Sequence, residues 1–284
     1  MMHTMSNALP LHRGLERRQT ASRYHATSDD YANESSGTVW ERTFPLLRPI
    51  LRRSLDFRQM DFEAALDEML SLCFLQPQRI FKQAYYRKQT KNRWARDDPA
   101  FAVVQIAFLL VSALASAAAL GAQRGITYAY LCFVAVVLHW FTCGVAASSL
   151  HASLANRFLR EQKWSHSVEQ KVEWLYAFDV HCNAFFAYFL VAYVGHFFAL
   201  PITLGHSFIA MLVANATHTL ALSAYFYVTH LGFRTLPYLR RTEVFLYPVV
   251  AALALFALSI ALGILGIKLN ASRILAAAVV SPLT

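Results

Sequence analysis

The segment YAFDVHCNAFF, residues 176–186, sets a carboxylate, an imidazole, a thiol and a carboxamide close together in an otherwise apolar stretch. At helical spacing Tyr176, Asp179 and Asn183 share one face, while His181 points elsewhere. A carboxylate beside an imidazole is the material of general acid–base chemistry. A carboxylate and a carboxamide on one face could line a path for an ion or polar solute. The structural alternative is simpler. A carboxylate at the centre of a bilayer costs about 2.5–3.5 kcal/mol, so such groups usually face protein or water. Asp179 lies near one end of its apolar segment, which lowers that cost, and no second intramembrane carboxylate faces it. The preferred reading is that Asp179 and Asn183 bond to neighbouring helices. A pocket for a partner or lipid headgroup ranks second, and catalysis or transport third. Arg234, in GFRTLP, and Glu243 are expected on the same side of the membrane, with an Asp179–Arg234 ion pair as the hypothesis to test.

Other chemistries find less support. His139, His151, His181, His196, His206, His218 and His230 are nowhere spaced i, i+3 or i+4, and none stands in an HExxH motif. No metal and no cofactor is expected. A GxSxG nucleophile turn is absent. The four cysteines, Cys73, Cys132, Cys143 and Cys182, form no CxxC pair. Three lie in apolar segments and read as small hydrophobes. Cys73 falls in a surface helix and is a weak candidate for palmitoylation.

The elements that must position these groups are membrane spans. The 284 residues are 56% hydrophobic and 15% charged, against about 25% charged in a typical soluble domain, and mean hydropathy is +0.35. The apolar residues form five blocks, 101–120, 126–150, 177–200, 208–228 and 244–267, and about 20 such residues suffice to cross a bilayer. Lys and Arg crowd onto one side. Arg79, Lys82, Arg87, Lys88, Lys91, Arg93 and Arg96 precede the first block; Arg157, Arg160, Lys163 and Lys171 follow the second; Arg234, Arg240 and Arg241 follow the fourth. Arg124, Lys268 and Arg273 are on the other side. This asymmetry places the N-terminus in the cytoplasm and the C-terminus in the lumen. The net charge of +9 then reads as a membrane-facing surface, not a nucleic-acid footprint.

Residues 1–43 are polar and read as a disordered cytoplasmic tail. Residues 44–98 read as amphipathic cytoplasmic or interfacial helices, 99–267 as the five-span domain, and 268–284 as a short lumenal tail. In the second region Phe62, Ala65, Leu66, Met69, Leu70 and Cys73 form an apolar face, with Asp61, Asp67 and Glu68 opposite. Pro77 opens a second helix whose apolar face carries Ile80, Phe81, Ala84 and Tyr85. Packing on the span ends and contact with lipid are both open. Arg87, Lys88, Lys91, Arg93 and Arg96 then form a basic string that holds the N-terminus in the cytoplasm and meets anionic headgroups. Trp94 suits the interface. Arg93 and Asp97 are spaced to pair, and Asp98-Pro99 starts the first span, the acidic pair complementing the helix dipole. Pro248 is expected to bend the last span. Asn270–Ser272 matches the glycosylation sequon but lies too near the membrane for ready modification.

Four phrases combine into a more specific pattern: FRQMDFEAALDEML (57–70), YYRKQTKNRWARDDPAF (85–101), EWLYAFDVHCNAFF (173–186), and FYVTHLGFRTLP with FLYP (226–237, 245–248). Together they closely resemble the signature blocks of the uncoordinated-fifty family of Golgi membrane proteins, over about residues 50 to 267. The resemblance implies a five-span protein of the Golgi, with the endoplasmic reticulum and inner nuclear membrane as further locations. It implies a part in early secretory traffic, through recruitment of a large Arf guanine-nucleotide exchange factor and, in animals, assembly of nicotinic acetylcholine receptors. It supplies no catalytic residues. An RNA-binding role has been suggested for one vertebrate member, but no RNA-binding module is present here, and RNA is not expected as a partner.

The expected fold is therefore all-α: a polytopic membrane protein with five transmembrane helices preceded by amphipathic cytoplasmic helices. The expected function is non-enzymatic docking and trafficking. The partners are an anionic cytoplasmic leaflet, an Arf exchange factor and membrane-protein cargo. The polar cluster assigned to partner binding or structure is Arg87, Lys88, Lys91, Arg93, Trp94, Arg96, Asp97, Asp98, Trp174, Asp179, His181, Asn183, Arg234 and Glu243. The competing readings are a transporter or lipid handler using the Asp179/Asn183 face, and a membrane-embedded hydrolase using Asp179 and His181.

Overall fold

The computed structural model describes residues 60–74, 77–161 and 170–280, all within the compact unit Ile50–Thr284. The tail 1–43, the first part of the 44–98 region and part of the charged connection after the second span lie outside the described residues. The regular elements among the described residues are helices; the exception is an isolated antiparallel bridge between Arg160 and Leu239.

Helix α1, Phe62–Cys73, starts where the Asp61 carboxylate accepts the Ala64 N–H at 2.9 Å. Helix α2, Pro77–Lys91, opens on its proline. The chain then turns at Asn92, whose φ of 55° lies in the left-handed region that asparagine tolerates better than most residues. Helix α3, Ala100–Ala119, begins just after Pro99, with the Asp98 carboxylate accepting the Ala100 N–H at 2.9 Å. Asp98 thus supports the start of the first span from one position earlier than expected, with Pro99 at the cap and Ala100 as the first helical residue. Its other oxygen accepts the Asp61 N–H at 2.7 Å, which ties the start of α1 to the start of α3.

Four more long apolar helices follow: α4 Gly125–Leu159, α5 Trp174–Thr203, α6 Phe208–Arg234 and α7 Thr242–Ile264. With α3 they make five helices long and apolar enough to cross a membrane. The chain is a multi-pass membrane protein. Helix α4 continues to Leu159, well past the expected boundary at 150, because Ala152, Ala155 and Leu159 keep an apolar face buried after polar residues appear. Pro248 sits at the first α-helical turn of α7, after a 3-10 turn over Thr242–Leu246, a position that imposes no bend.

Two features of the chain differ from expectation. In α1 the buried face is Ala65, Glu68, Met69 and Leu72, while Leu66, Leu70 and Cys73 point outward. The helix is rotated so that one acidic residue faces inward. After α7 the chain turns at Gly266 (φ 93°) and forms a further helix, α8 Ala271–Val280, where a plain tail was expected. Asn215 of α6 clamps that turn, donating to the Leu269 carbonyl at 2.9 Å and accepting the Ala271 N–H at 3.0 Å. Asn270 is buried; its amide nitrogen donates to the Thr203 carbonyl at 2.7 Å, so the folded chain does not present the sequon.

Candidate functional site

Several of the polar residues singled out in the sequence, Arg96, Asp179 and Asn183 among them, converge at the basic end of the bundle. The segment between α2 and α3 carries Arg96 down onto α1 and α5. One guanidinium nitrogen of Arg96 lies 2.6 Å from Glu68 and 2.7 Å from the Asn183 side-chain oxygen; the other lies 3.9 Å from Asp179. The Arg96 backbone N–H also donates to Asp179 at 2.5 Å. Beneath it, the guanidinium carbon stands 4.4 Å from the centre of the Phe101 ring. Arg87 approaches Glu68 at 3.6 Å as a second cation. The Arg96 and Glu68 side chains are only 9% and 10% exposed. Burial opposes the arginine's charge, but the Asp179 and Glu68 carboxylates outweigh it and leave its pKa raised. A buried cation paired with carboxylates and a carboxamide satisfies charges that would otherwise be costly to enclose.

Trp94 fills the space beside this network. It is buried, with the rings of Tyr85, Tyr176 and Tyr238 at 6.2, 6.0 and 6.4 Å. The expectation of a partly wet interfacial tryptophan therefore fails, because three tyrosines from α2, α5 and the loop after α6 enclose it. Glu173, at the start of α5, receives the backbone N–H groups of Trp94 and Ala95. Burial nonetheless holds its carboxyl above the ordinary glutamate range, with Lys88 and Arg93 only partly compensating.

A second polar layer lies deeper. Gln105 of α3 is fully buried; it donates to the Cys182 carbonyl at 3.0 Å and accepts the Trp140 indole N–H at 2.9 Å. His181 bridges α4 and α6, with one ring nitrogen 3.2 Å from the Trp140 carbonyl and the other 2.9 Å from the Tyr225 hydroxyl. Its ring fits because residue 144 is glycine. A Cβ there would lie 2.5 Å from the imidazole. Trp140 stands in a π-helical stretch of α4, Val134–Thr142, with His139, and α5 carries another at Leu190–Gly195. His139 and Tyr193 join these two stretches through a 2.6 Å hydrogen bond. Such stretches shift the side-chain register of a helix and are frequent at functional sites.

Asp179 and Asn183 therefore share one partner, and that partner is Arg96, not Arg234. Tyr176 turns to α6 instead and donates to the Gly232 carbonyl at 2.7 Å. Lys91 and Arg93 both reach Asp97, at 2.9 and 3.8 Å. Lys88 donates to the Asn92 carbonyl at 3.0 Å. Trp174 stacks on Phe178 and donates to Ser149, apart from the network. Arg234 is exposed at the end of α6, and Glu243 is exposed at the start of α7. Sequence reasoning missed Glu68, Gln105 and Glu173. Gln105 carried a usable signal, a lone carboxamide within FAVVQIAF. Glu68 carried none, standing in a row of acidic residues on what looked like a solvent face.

The acceptors of this network are taken, although the Nε atoms of Arg87 and Arg96 are buried without a hydrogen-bond partner among the described residues. Asp179, Asn183 and both ring nitrogens of His181 are each engaged by groups of the chain itself. The family model described as the UNC-50 family matches residues 50–275. A protein named unc-50 homolog from Dictyostelium discoideum is 40% identical over 229 residues, covering 81% of this chain and 86% of its own length. The homologs from Rattus norvegicus and Homo sapiens are 41% and 40% identical over 214 residues, covering 75% of this chain and 81% of theirs. No solved structure matches.

Proposed function

The chain belongs to the UNC-50 family, and on that premise we propose that it is a non-enzymatic trafficking and docking protein of Golgi membranes. In this reading the N-terminus and the basic end of the bundle face the cytoplasm, an orientation that the Lys/Arg asymmetry supports. The protein helps to recruit a large Arf guanine-nucleotide exchange factor. It also supports transport or assembly of membrane-protein cargo, nicotinic receptors among them in animals.

The observation that carries this reading is the occupation of the Asp179/Asn183 face by Arg96. A transport path or a hydrolytic site would need those groups free to meet water or substrate. Here they are spent on holding α1 and the segment between α2 and α3 against α5. In this reading the crosslinked crown at the basic end of the bundle presents its outer residues to a partner.

The test is tagged expression with proximity labelling in cells. Golgi signal with enrichment of Arf exchange factors is the expected result. Loss of Golgi localisation, or no enrichment over an unrelated five-span control, would count against it.

A further inference from the structure

Between α2 and the end of α6 lies a groove of about 790 Å³, lined by Gln78, Phe81, Lys82, Tyr85, Tyr86 and Gln89 on one wall and Leu231, Arg234 and Thr235 on the other. Its chemistry is one-sided. Lys82 and Arg234 line it as cations, the tyrosines and glutamines add hydrogen-bond donors, and among the described residues no Asp or Glu lines it. Lys82 and Arg234 are exposed and have no acidic partner among the described residues. This contrasts with the basic string nearby, where Arg87, Lys91, Arg93 and Arg96 all meet carboxylates.

The depth of the groove points to its occupant. Arg234 is the last residue of α6, a helix long enough to span a hydrocarbon core, so the groove sits at the level of the lipid phosphates. On the helical face that ends at Arg234, Leu220 and Tyr227 are exposed on the bundle exterior, while Leu231, between them and Arg234, is buried and forms part of the groove wall. An acyl chain lying along Leu220 and Tyr227 brings its headgroup between Arg234 and Lys82. Two cations without a counterion suit a phosphomonoester, which carries up to two negative charges, better than a zwitterionic headgroup.

We propose that this groove binds a membrane lipid with a phosphomonoester headgroup, held by Lys82 and Arg234 with its acyl chain along the Leu220–Tyr227 stripe. The inference does not depend on the trafficking role.

The test uses the full chain in detergent micelles, with bound lipid read by native mass spectrometry. The probes are dioctanoyl phosphatidic acid, dioctanoyl phosphatidylcholine, glycerol 3-phosphate and hexaglutamate. Phosphatidic acid should bind at least tenfold more tightly than phosphatidylcholine. Lys82→Gln and Arg234→Gln should each lower that affinity by about tenfold, the loss expected for one charge-assisted contact. Both side chains are exposed, so melting should be unchanged; if either glutamine variant misfolds, Lys82→Ala and Arg234→Ala replace it. Arg124→Gln, at the opposite end of the bundle, should leave binding intact. Equal binding of the two lipids would overturn the proposal, as would retention of the preference in the double variant or its loss in Arg124→Gln. Displacement of the lipid by equimolar glycerol 3-phosphate would show a free-phosphate site instead. Stronger retention of hexaglutamate would show an acidic-peptide site. Either result refutes the lipid assignment.

Discussion

Removing the Arg96 side chain tests whether the crown is held as described. Arg96→Ala deletes the contacts to Glu68 at 2.6 Å, Asn183 at 2.7 Å and Asp179 at 3.9 Å, and the packing on Phe101. Two enclosed carboxylates remain. Asp179 keeps the backbone N–H of residue 96, and Glu68 keeps Arg87 at 3.6 Å. Breaking a buried ion pair by removing one partner costs about 3–5 kcal/mol. The surviving contacts place this case near the lower limit. At about 2–4 °C per kcal/mol for a chain of this size, the melting temperature in detergent should fall by roughly 6–12 °C. Arg96→Lys should fall between wild type and alanine, since an ammonium keeps the charge but not the planar fork that reaches two acceptors at once. The sharper arm is Arg96→Met combined with Glu68→Gln and Asp179→Asn. Neutralising these three removes both stranded carboxylates, leaving only the 22% exposed Arg87 without its Glu68 partner, and should recover more than half of the loss, because replacing most of a buried ion cluster is far cheaper than removing one partner. A shift below about 2 °C for Arg96→Ala would refute the reasoning on the same scale. So would a triple variant no more stable than the single one.

Two further outcomes follow from the packing and the charges. Gly144→Ala would place a Cβ 2.5 Å from the His181 ring, and Gly232→Ala would place one 2.7 Å from the Val180 methyls; each should cost about 1–3 kcal/mol as overpacking, with Gly125→Ala, which meets nothing within 4 Å, as the neutral control in the same melting assay. Burial raises the Glu173 pKa in the folded chain, so its ionisation opposes folding: the penalty is absent below the unfolded pKa and complete above the folded one. Glu173→Gln should therefore melt higher than wild type at pH 7 and converge with it as the pH falls towards about 4, and a variant no more stable at pH 7 would contradict the assignment.

The spans were legible because hydropathy is local and the bilayer is a severe solvent. Backbone groups that cannot reach water must pair within their own helix, so a long apolar block has few alternatives to a helix. The role of Asp98 was legible for the same reason, since a helix start is decided within a few residues. The partner of Asp179 was not. Arg96 and Arg234 stand on the same side of the membrane, and nothing local distinguishes them. The choice follows from tertiary placement: Arg96 contacts Asp179 from 83 positions away, across a loop that folds back between α1 and α5. The inward turn of Glu68 was hidden likewise, because only the position of Arg96 makes a buried carboxylate on α1 favourable. The π-helical stretches have no recognisable code in VAVVLHWFT or LVAYVG, and they become intelligible through the contact between His139 and Tyr193 that joins them.

The pairing of Arg96 also changes what the basic string can do. A run of five cations ahead of a span reads as a strip that adheres to anionic lipid. Four of the five instead meet carboxylates of the chain: Arg87 with Glu68, Lys91 and Arg93 with Asp97, and Arg96 with Glu68 and Asp179. Lys88 is held over the Trp94 ring and bonded to the Asn92 carbonyl. Arg87 and Arg96 are balanced by Glu68 and Asp179 and have little potential left for a phosphate beyond them, whereas Lys91 and Arg93 share the one carboxylate of Asp97 and keep a net positive charge. The string is therefore first a connector that locks α1 and α2 onto the spans. Recognition by charge falls to cations without such partners, and Lys82 and Arg234 face each other across one groove in that condition.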